Sequence, residues 1–332
     1  MQDKAKIGLV ASEVAGLWDS YVNDSLVICT LSYFIDKTED EEVLQILQHA
    51  LDVSNGHIQV ITDIFNQEGL PIPKGFTKDD VNINAPRLYD DPFYLFYLTN
   101  VSQVAMGAYT LILNHVARSD VRNFFSDCIS ESVELYNKVS DVLLSQGIFI
   151  RAPKVEFSKN VSFVEEQNFF SGGLLGQKRN LVAREMTSIF ASLRLNIIGG
   201  ALITGFAQVA ESTKVSEYLF RGSDLANKKV KTLIPLLLDE NIPIPSTSNS
   251  FVTDSIVSPF SDKLMVYHVT LLNGGAIAQD GMALSTVLRF DLQLHYTRSM
   301  LDTAKYSEDG LDIMLKNRWL EQPPQAIDHK KL

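Results

Sequence analysis

Leu9-Val10-Ala11-Ser12-Glu13 returns later in the chain as Leu181-Val182-Ala183-Arg184-Glu185. The offset is 185 − 13 = 172 residues. The same offset carries Asp52 onto Asp224, Asn55 onto Asn227 and Glu68 onto Glu240. It also carries Leu70-Pro71-Ile72-Pro73 onto Ile242-Pro243-Ile244-Pro245, and places Trp18 on Phe190 and Phe34 on Phe206. A period this long exceeds that of a solenoid repeat and fits a duplicated domain. The division predicted is a first domain over 1–153, a linker over 154–180 and a second domain over 181–332.

Each half reads as four long helices. In the first, Val10, Val14, Leu17, Tyr21, Ile28, Leu31 and Ile35 recur at helical steps, as on one face of a bundled helix. The second carries Val43, Leu47, Ala50, Ile61 and Ile64 and stops at Gly69, before Pro71. Pro92 suits the first turn of a third helix. Ser119-Asp120 reads as a short capped turn before a fourth helix. Ile148-Phe149-Ile150 is the best candidate for extended pairing. Helices one and two are joined tightly, as are three and four, whereas residues 69–91 and 241–258 are long connections. A helix of about 28 residues spans roughly 42 Å. About 20 extended residues reach further than that. The fold class predicted is therefore all-α, with tandem ferritin-like four-helix bundles, each holding one long crossover between helices two and three.

The chain of 332 residues has a net charge of −11. That balance argues against nucleic acid as a partner, because phosphate binding needs a basic face. Two cysteines, Cys29 and Cys128, sit in apolar stretches and read as buried thiols, which suits a reducing cytoplasmic setting. The first residues lack the apolar run of a signal peptide. The uncharged run between Arg194 and Glu211 falls short of the ~20 residues of a membrane span and reads as a core helix, so no membrane partner is expected. Gly172, Gly173 and Gly176 make the linker flexible but lack the spacing of a phosphate cradle.

Candidate chemistry sits on the bundle seams. Folding the first hairpin about residues 38–39 brings Asp24 opposite roughly residue 53, so Asp24 and His57 share a layer. Such a pair is either a hydrogen-bonded structural element or part of a metal site. Glu13 lies one position off the seam. These three are the weak metal candidates, and no catalytic or cofactor-binding residue is expected. A ferritin-like di-metal centre needs Glu-x-x-His pairs. Ser54 stands at that spacing before His57, and Ile112 before His115. In the second half Asp24 becomes Asn196 and His57 becomes Lys229. Asp291 and His295 share a helix face and read as a surface pair. Gly199-Gly200-Ala201 and Gly274-Gly275-Ala276 read as points of close helix approach.

The duplication, the Leu-Pro-Ile-Pro segment and Pro92-Phe93 opening helix three are similar to a family of unknown function from spore-forming Firmicutes. Its members carry tandem ferritin-like bundles and a spore-coat label taken from coat protein F. The resemblance implies the fold and a cytoplasmic or spore-associated setting. The function expected is that of a non-enzymatic structural or interaction protein, with protein partners or self-association. The alternative is a ferritin-like metal-binding or redox protein using a transition metal in the first bundle.

Overall fold

The computed structural model describes residues 7–156, 158–172, 179–244 and 251–326. Among them are eight α-helices and no named strand. Gly173, Gly176 and Pro245 lie outside the described residues. By compactness the chain divides into two units. Unit 1 holds residues 1–148, 257–264 and 315–332; unit 2 holds 149–256 and 265–314.

Unit 1 contains α1 (Ala11–Lys37), α2 (Glu41–Glu68), α3 (Asp91–Leu113) and α4 (Ser119–Ser145). Hydrogen bonds at the helix ends give the directions. At one end, Thr38 Oγ1 donates to Asp91 at the start of α3, at 2.8 Å. At the other, Ser12 Oγ donates to the His115 carbonyl just past α3, at 2.7 Å. Helix α1 therefore runs antiparallel to α3. It is also antiparallel to α2 across the tight turn 38–40, so α2 and α3 are parallel and the long segment between them crosses the unit. Asp40 accepts from Glu42 and Val43 to open α2, and Gly69 closes it at φ 64°. That left-handed conformation is cheap only for glycine.

The crossover is ordered by its own core. Phe76, Ala85, Leu88 and Tyr89 are buried. The Phe76 N–H donates to Ser25 Oγ at 2.9 Å, and the Tyr33 hydroxyl donates to the Pro86 carbonyl at 2.5 Å. The segment 257–264 belongs to this unit because it bonds the crossover backbone. Val81 and Phe260 form an antiparallel bridge, and the Asn82 N–H donates to the Pro259 carbonyl at 2.8 Å. Ile148 makes no strand pairing; its N–H donates to Leu143 to close α4.

The crossover changes the reading of α1. Leu17 and Leu31 are in the core, as the periodicity predicts, but Tyr21, Ile28 and Ile35 are only half-buried. Trp18, Val22, Leu26, Cys29, Tyr33 and Phe34 are buried in addition. Helix α1 packs against α2, α3 and the crossover together, so a single stripe understates its contact surface.

Unit 2 repeats the plan with α5 (Ala183–Val209), α6 (Thr213–Leu238), α7 (Asp262–Thr286) and α8 (Phe290–Asn317), the ends of the last two falling in unit 1. Its core includes Leu181, Ile189, Leu193, Leu233, Leu237, Val287, Leu292 and Tyr296. Helix α5 is long and apolar enough to cross a membrane, yet 61% of that stretch is buried inside the structure, as in a core helix.

The glycines of unit 2 divide into two kinds. A Cβ on Gly222 would run into the Tyr306 hydroxyl, and one on Gly310 into the Tyr218 hydroxyl. Those rings stack at 4.5 Å and fill the space the glycines leave. Close approach does not explain Gly199 or Gly274, where a Cβ would meet nothing within 4 Å. Gly199 instead lines a cavity of about 40 Å³ with Lys229, Asn273 and Tyr306. Within this chain, no close helix approach is made at these two positions. Gly199→Ala should raise the stability of unit 2 by about 1 kcal/mol through helix propensity. Gly222→Ala should lower it by about 1–3 kcal/mol through overpacking. Urea midpoints of the two variants should move in opposite directions.

Candidate functional site

Helices α1 and α2 bring Asp24 and His57 together, as their hairpin spacing predicts. Both are buried, and His57 Nδ1 lies 3.2 Å from Asp24 Oδ2. The sequence did not point to the other side of the imidazole. There Nε2 lies 2.7 Å from Glu131 Oε2 on α4. Cys128, one turn earlier on α4, completes the group: ligand atoms of His57, Cys128 and Glu131 all lie within 4.8 Å of one another. Tyr109 of α3 and Phe124 of α4 set their rings near-perpendicular to the imidazole, at 6.2 and 5.5 Å. All four helices of unit 1 thus contribute to one polar layer.

Burial alone would lower the His57 pKa. Hydrogen bonding to Asp24, Cys128 and Glu131, with the charge of Asp24, outweighs burial and pushes it up to about 12. The ring is a cation between two carboxylates. The Cys128 thiol is pushed up, first by burial. It is a neutral thiol at rest.

Glu13 stands apart from this layer. It is buried at the start of α1, and its carboxylate is committed to backbone donors. Oε2 accepts from the Val10 N–H at 2.9 Å, and Oε1 from Ala117 and Arg118 at 3.0 and 2.7 Å. It thereby supplies the cap of α4. Arg118 is the residue before α4 and no side chain caps it locally, so Ser119 is not the cap expected from sequence. Glu185 does the same in unit 2, accepting from Val182 at 3.1 Å and from Leu288 and Arg289 at 3.1 and 3.0 Å. Burial would raise the Glu185 carboxyl, but Arg179 and the backbone donors hold it below the usual range.

Unit 2 has a polar layer of different chemistry. Past the crossover the offset becomes 289 − 118 = 171. It maps Tyr109 onto Asp280, Cys128 onto Ser299 and Glu131 onto Asp302. Lys229, in the place of His57, donates to Thr303 Oγ1 at 2.7 Å and lies 3.4 Å from Asp280. Ser299 donates to Asp280 at 2.5 Å. Burial lowers the Lys229 pKa, and Asp280 opposes that. The acid has moved from the first helix to the third, and the cation has changed type. Neither layer fits a carboxylate-bridged di-metal centre: unit 1 brings only two carboxylates to one imidazole, and unit 2 holds a lysine. Asp291 is taken up by Arg289, at 2.6 Å.

The family described as "Protein of unknown function (DUF3231)" matches residues 1–161 and again 169–332. The chain belongs to the DUF3231 family. The family model thus occurs twice in tandem along the chain. No curated protein matches this DUF3231 chain. Among solved structures, a putative spore coat protein from Bacillus halodurans C-125 is similar at 18% identity and a TM-score of 0.42. The similarity covers 47% of this chain and 100% of that one.

Replacing His57 with alanine should strand Asp24 beneath the surface and cost about 3 kcal/mol near pH 6. The folded-state pKa is raised above the ordinary imidazole value. The contribution of His57 is therefore complete below about pH 6.5 and is lost as pH rises toward 12. Urea unfolding of the natural chain and of His57→Gln should show a stability gap that shrinks from pH 6 to pH 9. A gap that grows over this interval would contradict the charged assignment.

Proposed function

We propose that this DUF3231 chain is a non-enzymatic structural or interaction protein built from two ferritin-like four-helix bundles. The observation that supports this is the exchange of chemistry between the two polar layers. Histidine is replaced by lysine, aspartate by asparagine, tyrosine by aspartate and cysteine by serine, and each position stays polar. A catalytic constellation does not survive such exchange, because nucleophile, base and ligand roles are specific to side-chain type. A layer that fixes helix register tolerates it, since its requirement is mutual satisfaction of buried polar groups.

The partners proposed are other proteins or further copies of the chain. Its acidity disfavours nucleic acid. The setting proposed is the cytoplasm with spore association, on the family resemblance read from the sequence. A transition-metal role for unit 1 is the second reading, favoured by the convergence of His57, Cys128 and Glu131 around one point.

The structural reading is tested by complementation in the organism of origin. Layer variants at Asp24, His57 and Tyr109 should rescue a gene deletion in proportion to the folded protein they yield. A variant folded to the natural extent that gives no rescue would overturn the reading.

A further inference from the structure

We propose that His57, Cys128 and Glu131 form a mononuclear zinc site within unit 1. This deepens the second reading above, and its failure leaves the structural one intact.

The donor set is one imidazole, one thiol and one carboxylate. Borderline-soft Zn²⁺ accepts all three types and imposes no geometry of its own. The donors come from two adjacent helices: His57 from α2, and Cys128 with Glu131 three residues apart on one face of α4. Their ligand atoms lie within 4.8 Å of one another, and His57 Nε2 is 2.7 Å from Glu131 Oε2. Around tetrahedral zinc, donor atoms stand about 3.5 Å apart, given bonds of roughly 2.0–2.3 Å. Shifts on the order of 1 Å in the three side chains would reach that arrangement.

Two further features favour a cation here. Asp24 holds Nδ1 and leaves Nε2 directed at Glu131, as an outer carboxylate orients a metal-bound histidine. Glu131 is 39% exposed at its side chain while His57 is buried, so the site has one wet corner through which an ion enters. Water from that corner completes the fourth position. On binding, Zn²⁺ replaces the proton on His57 Nε2 and the thiol proton of Cys128, and both protons leave to solvent. Unit 2 has lost the imidazole and the thiol, to Lys229 and Ser299, and keeps only a carboxylate, at Asp302. It provides an internal control, and the stoichiometry expected is one zinc per chain.

The test is titration of the metal-free, full-length chain with Zn²⁺ by calorimetry, and with Co²⁺ by absorption. The expected result is one ion per chain, with a thiolate-to-cobalt charge-transfer band. Cys128→Ser places at this position the residue that unit 2 carries there, so the variant should fold, as circular dichroism checks. It should abolish the cobalt band and weaken zinc at least ten-fold. Glu131→Gln should weaken zinc as well. Absence of binding, binding of two ions, or binding unchanged in Cys128→Ser would each overturn the proposal.

Discussion

One buried carboxylate in each unit sets the relation between its two helical hairpins. Glu13 and Glu185 each lie one turn into the first helix, reach back to its first backbone N–H, and accept two more N–H groups from the turn that opens the fourth helix. Helix starts leave donors without intrahelical partners, and a buried start needs an outside acceptor. A carboxylate suits the positive end of a helix dipole, and here one side chain serves two helices at once. The surrounding guanidiniums follow the same plan. Arg118 binds Glu68 and Asp120 in unit 1; Arg289 binds Asp291 and faces Glu240 in unit 2. The capping contacts of this corner are kept through the duplication, and unit 2 adds Arg179 beside Glu185.

The layer halfway along the bundle has not. In unit 1 it centres on an imidazolium between Asp24 and Glu131; in unit 2, on a lysine among Asp280, Ser299 and Thr303. A buried ion costs several kcal/mol unless paired, so a change at one position requires a compensating change on a neighbouring helix. The shift of the acid from Asp24 to Asp280 is such a compensation. The two layers share polarity and satisfaction. Unit 1 alone combines a thiol, an imidazole and a partly exposed carboxylate, which separates its chemistry from that of its copy.

The repeat, the helices and the crossover were legible because they depend on local spacing and loop length. Asp24 and His57 could be paired because a three-residue turn makes hairpin register a matter of counting. Glu131 and Cys128 could not be placed that way. Helix α4 is reached through two further connections, and its rotation about its axis depends on packing rather than on sequence distance. A cue existed: Cys128 and Ser299, like Glu131 and Asp302, are matched positions, and in each helix the two lie three residues apart. Glu13 was read from its distance to the seam, whereas its place is set by donors more than a hundred residues away. The glycines were only partly legible for a related reason: Gly200 faces Ala226 on the next helix, while Gly199 faces open space. Glycine reports that a side chain is missing, and only the neighbouring helix decides whether a tyrosine or a cavity takes the space.

The central claim is that the Glu13 corner holds unit 1 together while the central layer is exchangeable. Equilibrium urea unfolding compares the two directly, with Glu13→Gln set against the triple exchange Asp24→Asn, His57→Lys and Tyr109→Asp, which moves the lysine and the acid of unit 2 into unit 1. The account predicts a loss of about 4 kcal/mol for Glu13→Gln, because hydrogen bonds to a charged acceptor are worth roughly 1.5–3 kcal/mol each. It predicts a loss of less than about 2 kcal/mol for the exchanged layer, in which each buried charge keeps a partner. A Glu13 variant as stable as the natural chain, or a larger loss for the exchange than for Glu13→Gln, would contradict it.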